Sequence, residues 1–256
     1  MMRMNVWDRH EMICEFLGSN AKLSVSDIAR RLGISEVTVR KDLNALSRSG
    51  RVERGHGVAR LVSDSGERYS LEKEMSVNIE LKEQIAAAAV DMVQDGEAVF
   101  LGPGSTCGVI MRKLVRKNNI VIITNAVNFE PLLVNRSNSR IIFLGGEYSF
   151  LQGAVMGIIS LDTLNSLNIT KFFLGANAVS AEDGLTSENL NYTGFIRMMM
   201  ERSKEVIAVA DHTKFGKFAA IRLAPLNKVS KIITDRGLGE DQRELIERQG
   251  VELVLV

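Results

Sequence analysis

Apolar residues change their spacing along this chain, and the changes mark its parts. Over residues 6–48 they recur three and four positions apart, the period of helices buried on one face. Ile13, Phe16 and Leu17 place a first helix over about Val6–Gly18, with Cys14 as a small core neighbour. A second helix is expected to start at a Ser26 cap and run to about Leu32, with Ile28, Ala29 and Leu32 inward. Gly33 permits a sharp turn, since it adopts a positive φ at little cost. Ser35 then caps a third helix to about Arg48, with Val39, Leu43 and Leu46 inward. After Gly50, Arg51–Arg54 and Val58–Leu61 read as two short strands around Gly55-His56-Gly57.

Residues 62–78 are polar and weakly periodic, as in a linker, with some helix near Leu71–Met75. From Ile79 short apolar runs take over: Ala98–Leu101, Ile120–Thr124, Arg140–Leu144, Lys171–Leu174, Val206–Ala210, Lys231–Thr234 and Glu252–Val256. Helices are expected between them over Ile79–Asp95, Cys107–Arg116, Ser160–Leu167, Thr193–Ser203 and Asp241–Arg248. Strands apolar throughout and spaced by helices predict a mostly parallel sheet covered on both faces. The division expected is 1–61, 62–78 as linker, and 79–256.

The third helix carries the chemistry of the first part. Opposite its apolar stripe stand Val37, Arg40, Lys41, Asn44 and Arg48. Cations suit phosphates, Arg or Lys reaches guanine O6 and N7, and Asn pairs with adenine, so this face fits a DNA major groove. A solvated helix face is the plain alternative. The turn spacing, the Ser35 cap and the wing-like hairpin favour DNA. Arg51, Arg54, His56 and Arg60 on that hairpin are candidates for backbone phosphates, His56 equally for a loop residue without special role.

This segment resembles the N-terminal winged helix-turn-helix domain of DeoR-type transcriptional regulators. The likeness rests on Ser35-Glu36-Val37-Thr38-Val39-Arg40-Lys41-Asp42-Leu43, on Gly50-Arg51-Val52-Glu53-Arg54 and on His56-Gly57, with Val58 where the family usually has a second glycine.

Charge supports two parts. Residues 1–60 hold 11 Lys and Arg against 7 Asp and Glu, whereas 61–256 hold 21 against 24. A basic head on a mildly acidic body fits a nucleic-acid module joined to something else. The chain has no apolar run long enough for a bilayer, and its first residues are too polar for a secretory signal, so a cytoplasmic location without membrane is expected. Cys14 and Cys107 lack CxxC spacing, and there is no HExxH, so neither disulfide nor metal is indicated.

In an open parallel sheet, ligands gather at the carboxyl ends of strands. The first such end reads Gly102-Pro103-Gly104-Ser105-Thr106-Cys107-Gly108, where backbone amides, two hydroxyls and a helix dipole suit phosphate. Thr124-Asn125, Gly145-Gly146-Glu147, Gly175-Ala176-Asn177 and Asp211-His212-Thr213-Lys214-Phe215-Gly216 close further strands. Each is ordinary turn chemistry alone; five together point to a polar ligand pocket.

These segments stand in the order of the DeoR C-terminal sensor domain, which the chain resembles, and which shares its fold with ribose-5-phosphate isomerase and glucosamine-6-phosphate deaminase. The resemblance implies a sugar-phosphate effector gripped by Gly104-Ser105-Thr106 with help from Lys214. Gly102, Thr124, Asn125, Gly146 and Asn177 complete the expected site. Two positions depart from the family pattern: Gly102 replaces the usual aspartate before the first loop, and Asn177-Ala178 replaces Asp-Gly.

The expectation is therefore an α/β protein, a winged helix joined to an isomerase-like sensor, acting as a DNA-binding regulator of carbohydrate catabolism. It is expected to be a repressor of operator DNA, a homodimer or homotetramer through the sensor's outer helices, and to need no cofactor. The rivals are an activator built from the same parts, and a sugar-phosphate isomerase or deaminase with an accessory DNA-binding head. Against an enzyme, the strand end that is rich in Asp and Glu in isomerases of the resembled fold reads Gly175-Ala176-Asn177-Ala178 here, which supplies no carboxylate base. Asp211, His212 and Ser105 lack a Gly-x-Ser-x-Gly elbow, which argues against a hydrolase triad.

Overall fold

A computed structural model describes residues 5–18, 23–48, 52–55, 58–61, 70–133, 138–150 and 152–256. The chain divides into two compact units, 1–68 and 69–256.

The first unit contains α1 (Val6–Gly18), β1 (Leu23–Ser24), α2 (Val25–Leu32), α3 (Glu36–Arg48), β2 (Val52–Gly55) and β3 (Val58–Leu61). Ile13, Leu17, Ile28, Val39, Leu43 and Leu46 form its core with Val52 and Ala59. The β2–β3 hairpin pairs Val52 with Leu61 and Gly55 with Val58, and β1 joins on the other side of β3. The cap of α2 is Ser24, not Ser26: Ser24 Oγ accepts from the Asp27 amide at 3.1 Å and donates to the Asp27 carboxylate at 2.6 Å. The helix starts early because Val25 is a core residue and Ser24 still has extended backbone. Gly33 takes φ 66° and ends α2 as expected. Ser35 Oγ accepts from the Thr38 amide at 3.2 Å and caps α3.

The second unit contains α4 (Leu71–Ser76), α5 (Ile79–Asp91), β4 (Ala98–Leu101), α6 (Ser105–Leu114), β5 (Val121–Thr124), β6 (Arg140–Phe143), β7 (Glu147–Ser149), β8 (Ala154–Met156), α7 (Ile158–Asn165) and β9 (Ile169–Gly175). It continues with β10 (Ala178–Ser180), β11 (Gly184–Ser187), α8 (Leu190–Arg202), β12 (Ser203–Val209), β13 (Ile221–Ala224), β14 (Lys231–Thr234), α9 (Glu240–Glu247) and β15 (Glu252–Leu255). A parallel sheet runs β15-β14-β12-β9-β4-β5-β6. Neighbouring residues on its strands feed opposite layers. Phe100, Phe172 and Ala208 pack with α7, α8 and α9, whereas Val99, Leu101, Phe173 and Ile207 pack with α4, α5 and α6.

Strand order fixes where a ligand can enter. From β4 the chain builds outward to β5 and β6, then returns to lay β9 on the other side of β4. The connections leaving the carboxyl ends of β4 and β9 therefore diverge, and a crevice opens between them.

Helix α4 belongs to this unit, since Leu71 and Met75 are buried against α6, so packing begins before Ile79. Lys82 locks it there: its buried ammonium donates to the Glu74 and Val77 carbonyls at 2.6 and 2.7 Å. Burial holds the Lys82 pKa below its ordinary value, against the pull of Asp211. The antiparallel sheet β10-β11-β13 and the β7–β8 hairpin were not expected from the sequence. On the outer helices proposed as the oligomer contact most apolar residues turn inward, although Leu190 at the start of α8 is exposed. Ile85, Ala86 and Ala89 of α5, and Phe195, Ile196 and Met199 of α8, are core.

Candidate DNA-reading helix and ligand cleft

On α3 the inward stripe leaves Ser35, Glu36, Val37, Arg40, Lys41, Asn44 and Arg48 exposed, with Thr38 half-buried beside its cap. Arg40 pairs with Glu36 one turn earlier at 3.2 Å. Both side chains face solvent, so the pair is weak and easily exchanged for a base or phosphate. Glu36 is thus placed as a holder of Arg40. Arg54 lies on β2, while Arg51 and His56 fall outside the described residues.

Asp42, which spacing alone did not single out, sits on the inner side of α3 and is 5% exposed. It accepts from Arg9 Nε at 2.5 Å and Nη2 at 2.9 Å, and lies 3.2 Å from His10 Nε2. Burial alone would raise its pKa, but Arg9 and then His10 outweigh that and hold it below the usual value. The pairing fixes the roll of α3 against α1, and so the direction its outer face points.

The second unit carries a cleft of about 390 Å³ at the β4/β9 crevice. Gly104, Ser105, Thr106, Asn177 and Lys214 line it together with Pro103, Gly175 and Ala176. Gly104 takes φ 120° immediately before α6, which allows the chain to turn and present the first amides of that helix. A second helix begins at the same cleft, where Asn189 Oδ1 caps α8 by accepting from the Tyr192 amide at 3.3 Å. Two helix N-termini, two hydroxyls and one ammonium suit an anion. Lys214 forms no ion pair among the described residues.

Four residues expected at the site do not line the cleft. Thr124 is buried, donating to the Leu101 carbonyl at 2.8 Å and accepting from the Ala126 amide at 3.1 Å, so it ties β5 to β4. Asn125 is buried and donates to the Val155 carbonyl at 3.0 Å. Gly146 packs so tightly that a Cβ would lie 2.3 Å from the Met156 carbonyl oxygen. Gly102 lies behind the loop, where a Cβ would be 3.4 Å from the Tyr192 hydroxyl. Conversely Glu74, Gln152, Ser187, Glu188, Asn189 and Tyr192 line the cleft without having been singled out. They come from α4, the β7–β8 turn, β11 and α8, which sequence spacing does not bring together.

His212 and Asp235 form a pair beside this end of the sheet, with Nδ1 and Oδ2 2.7 Å apart and the His212 amide donating to Oδ1 at 2.8 Å. The Gly237 amide also donates to Oδ2, and these contacts outweigh burial to keep the Asp235 pKa low. Neither residue lines the cleft. No cluster of three or more metal-ligating side chains occurs among the described residues.

A helix-turn-helix with a cationic outer face, joined to a ligand-binding α/β unit, defines a DNA-binding transcriptional regulator. The model of the DeoR-like helix-turn-helix domain matches residues 9–65, and that of the DeoR C terminal sensor domain matches 77–236. The chain belongs to the DeoR family of transcriptional regulators, and is not an enzyme. It is 31% identical over 247 residues to the HTH-type transcriptional regulator GlpR of Haloferax volcanii, covering 96% of each chain. It is 27% identical to the glycerol-3-phosphate regulon repressor of Escherichia coli, covering 91% of this chain and 92% of that one. A ribose 5-phosphate isomerase from Methanocaldococcus jannaschii aligns with 54% of this chain and 55% of its own, at 19% identity and a TM-score of 0.40. No helix among the described residues is long and apolar enough to cross a membrane.

Proposed function

We propose that this protein represses a carbohydrate-use operon, and that a sugar phosphate bound in the cleft weakens its hold on operator DNA. The observation that carries the reading is the meeting of Ser105, Thr106 and Lys214 with two helix N-termini in one cleft. Family membership supplies the DNA-binding half of the argument, and a relative described as a glycerol-3-phosphate regulon repressor supports both repression and a phosphorylated signal. Arg40, Lys41, Asn44 and Arg48 read or clasp the major groove, with Ser35, Val37 and Thr38 at its edge, while Arg51, Arg54 and His56 hold backbone phosphates. Thr124 and Asn125 hold the sheet together, and Gly102 stands behind the loop beside the Tyr192 hydroxyl. The domain limits we adopt are 1–61 for the DNA-binding head and 79–256 for the sensor core, with 62–78 between them; within that stretch α4 packs with the sensor. The setting is the cytoplasm.

Control follows from linkage: a ligand that favours one sensor arrangement over another shifts the heads away from the geometry the operator requires, by its differential affinity for the two. The protein works as a homodimer or homotetramer, because one head neutralises too few phosphates to stand above non-specific binding. Gel-shift titration on the DNA upstream of its own operon, with and without a panel of sugar phosphates, tests the proposal. Loss of the shifted band with a phosphorylated sugar and not with its free sugar is expected; a band indifferent to every phosphate overturns sugar-phosphate control.

A further inference from the structure

Two of the buried side-chain atoms that lack a hydrogen-bond partner among the described residues belong to residues lining the cleft. They are the Tyr192 hydroxyl, a donor, and the Gln152 side-chain oxygen, an acceptor. Leaving such groups unmet in a folded protein is costly, and a buried polar group is normally met by protein, water, an ion or a ligand. Tyr192 cannot easily turn away. It is 7% exposed, sits in the first turn of α8 next to the Asn189 cap, and stacks on Phe195 with ring centres 5.9 Å apart and planes 19° apart. Burial, with a smaller push from the neighbouring Cys107, raises its pKa well above the ordinary value, so the phenol stays protonated and remains a donor.

The phenol also lies beside the position where this chain departs from the family pattern. A Cβ at Gly102 would be 3.4 Å from the phenolic oxygen. An aspartate there would hold a carboxylate within reach of the phenol and satisfy it inside the protein. With glycine, the proton of the phenol is left for something else. The remaining cleft lining adds a constraint, since Glu74 and Glu188 are exposed carboxylates that disfavour a second anionic group and accept hydroxyl protons.

We propose that Tyr192, assisted by Gln152, is the specificity-determining residue of the cleft, and that it recognises the hydroxyl-bearing carbon chain of a polyol or sugar monophosphate. The phenol donates to one ligand oxygen, and Gln152 accepts from another hydroxyl of the same ligand. Phosphate stays with Ser105, Thr106 and Lys214. This inference rests on the reading of the cleft as a sugar-phosphate site, and narrows it to ligands with at least two free hydroxyls beyond the phosphate.

The test is calorimetric titration of the full-length protein with inorganic phosphate, glycerol 3-phosphate, ribose 5-phosphate and fructose 6-phosphate. Wild-type protein is expected to bind at least one organic phosphate more tightly than inorganic phosphate. Tyr192→Phe should weaken that ligand by about tenfold, the order of change for one deleted hydrogen bond, and leave inorganic phosphate unchanged. Its unliganded melting temperature should be unchanged or higher, because an unmet polar group has been removed. Gly102→Asp should weaken the same ligand by giving the phenol an internal acceptor, and adding Tyr192→Phe to it should cause little further loss. Equal organic-phosphate affinity in wild type and Tyr192→Phe overturns the role of the phenol while leaving the phosphate site standing. So does a marked fall in the melting temperature of Tyr192→Phe, which would give the hydroxyl a structural bond instead. A wild-type protein that binds inorganic phosphate but no organic phosphate more tightly also overturns the inference. Failure to bind inorganic phosphate or any of the organic phosphates removes the cleft reading itself.

Discussion

Arg9 on α1 grips Asp42 on α3 through two hydrogen bonds, 2.5 Å from Nε and 2.9 Å from Nη2, on the side of the recognition helix that faces away from solvent. Breaking a buried pair by removing one partner leaves the other uncompensated, so Asp42→Ala should cost the head roughly 3 kcal/mol. DNA binding should fall with it, although Asp42 faces away from the groove. The pH dependence has a definite sign. A carboxylate whose folded pKa is depressed adds stability above the ordinary Asp value of about 3.9, and that share is lost as pH falls through the lower folded value. The melting difference between wild type and Asp42→Asn should therefore be full at neutral pH and shrink in acid. A difference that does not change between neutral pH and strong acid would remove the charge from the explanation.

Arg40 and Lys41 stand exposed in the first half of α3, where groove entry is deepest in this motif. Arg40→Ala or Lys41→Ala should each weaken operator binding by about 1–3 kcal/mol if the side chain reads a base, and should change the preference at one operator position. A phosphate contact would instead weaken all sequences alike and reduce the salt dependence. Gel shifts at several salt concentrations separate these outcomes. Wild-type affinity in both variants would remove α3 from the recognition role.

Binding of a sugar phosphate should raise the melting temperature of wild-type protein, because a ligand that binds only the folded state stabilises it. Lys214→Met should abolish most of that rise, and Ser105→Ala part of it, since charge contributes more than a single hydroxyl. Free sugars should leave the melting temperature unchanged. A thermal-shift panel reads this directly, and equal responses to phosphorylated and free compounds would contradict phosphate recognition by this loop.

How much of this was legible in the sequence depends on whether the relevant signal was local. The central strands were legible because both faces are covered, so Ala98–Leu101 and Val206–Ala210 are unbroken apolar runs. The end of α2 and the start of α3 announced themselves through Gly33 and Ser35, although the α2 N-cap moved to Ser24 because burial of Val25 was not visible in the pattern. The strands β10, β11 and β13 were hidden, being three or four residues long with little alternation. Ser105, Thr106 and Lys214 were legible as residues that line the cleft because glycine-bounded strand ends are local features. Tyr192 was not, since its spacing to Phe195 and Met199 is that of an ordinary core helix and only the fold brings it beside Gly102. Thr124 and Asn125 show the converse: polar residues at a strand end, yet engaged in holding the sheet together.

The helices that the sequence offered as a subunit contact face the protein's own sheet, and apolar surface remains elsewhere. Phe143 closes β6, one of the two edge strands of the parallel sheet, and Tyr148 and Phe150 meet edge to face with centres 4.9 Å apart on the next hairpin. Ile158 and Ile159 open α7 at 75% and 61% exposure, with Ile159 packed beside Gly145. Exposed aromatic and aliphatic side chains of this kind are what protein association covers. A second copy of the chain is the occupant that the DNA-binding half calls for, because two heads on one body bind an inverted repeat at high effective concentration. Sedimentation of the full chain should therefore give a dimer or tetramer. The double variant Phe150→Glu/Ile159→Glu should shift it toward monomer and weaken operator binding at low protein concentration, with little change in melting temperature, since both side chains are already exposed. An oligomer that survives the double variant would place the contact elsewhere, and a monomeric wild type would end the two-headed reading altogether.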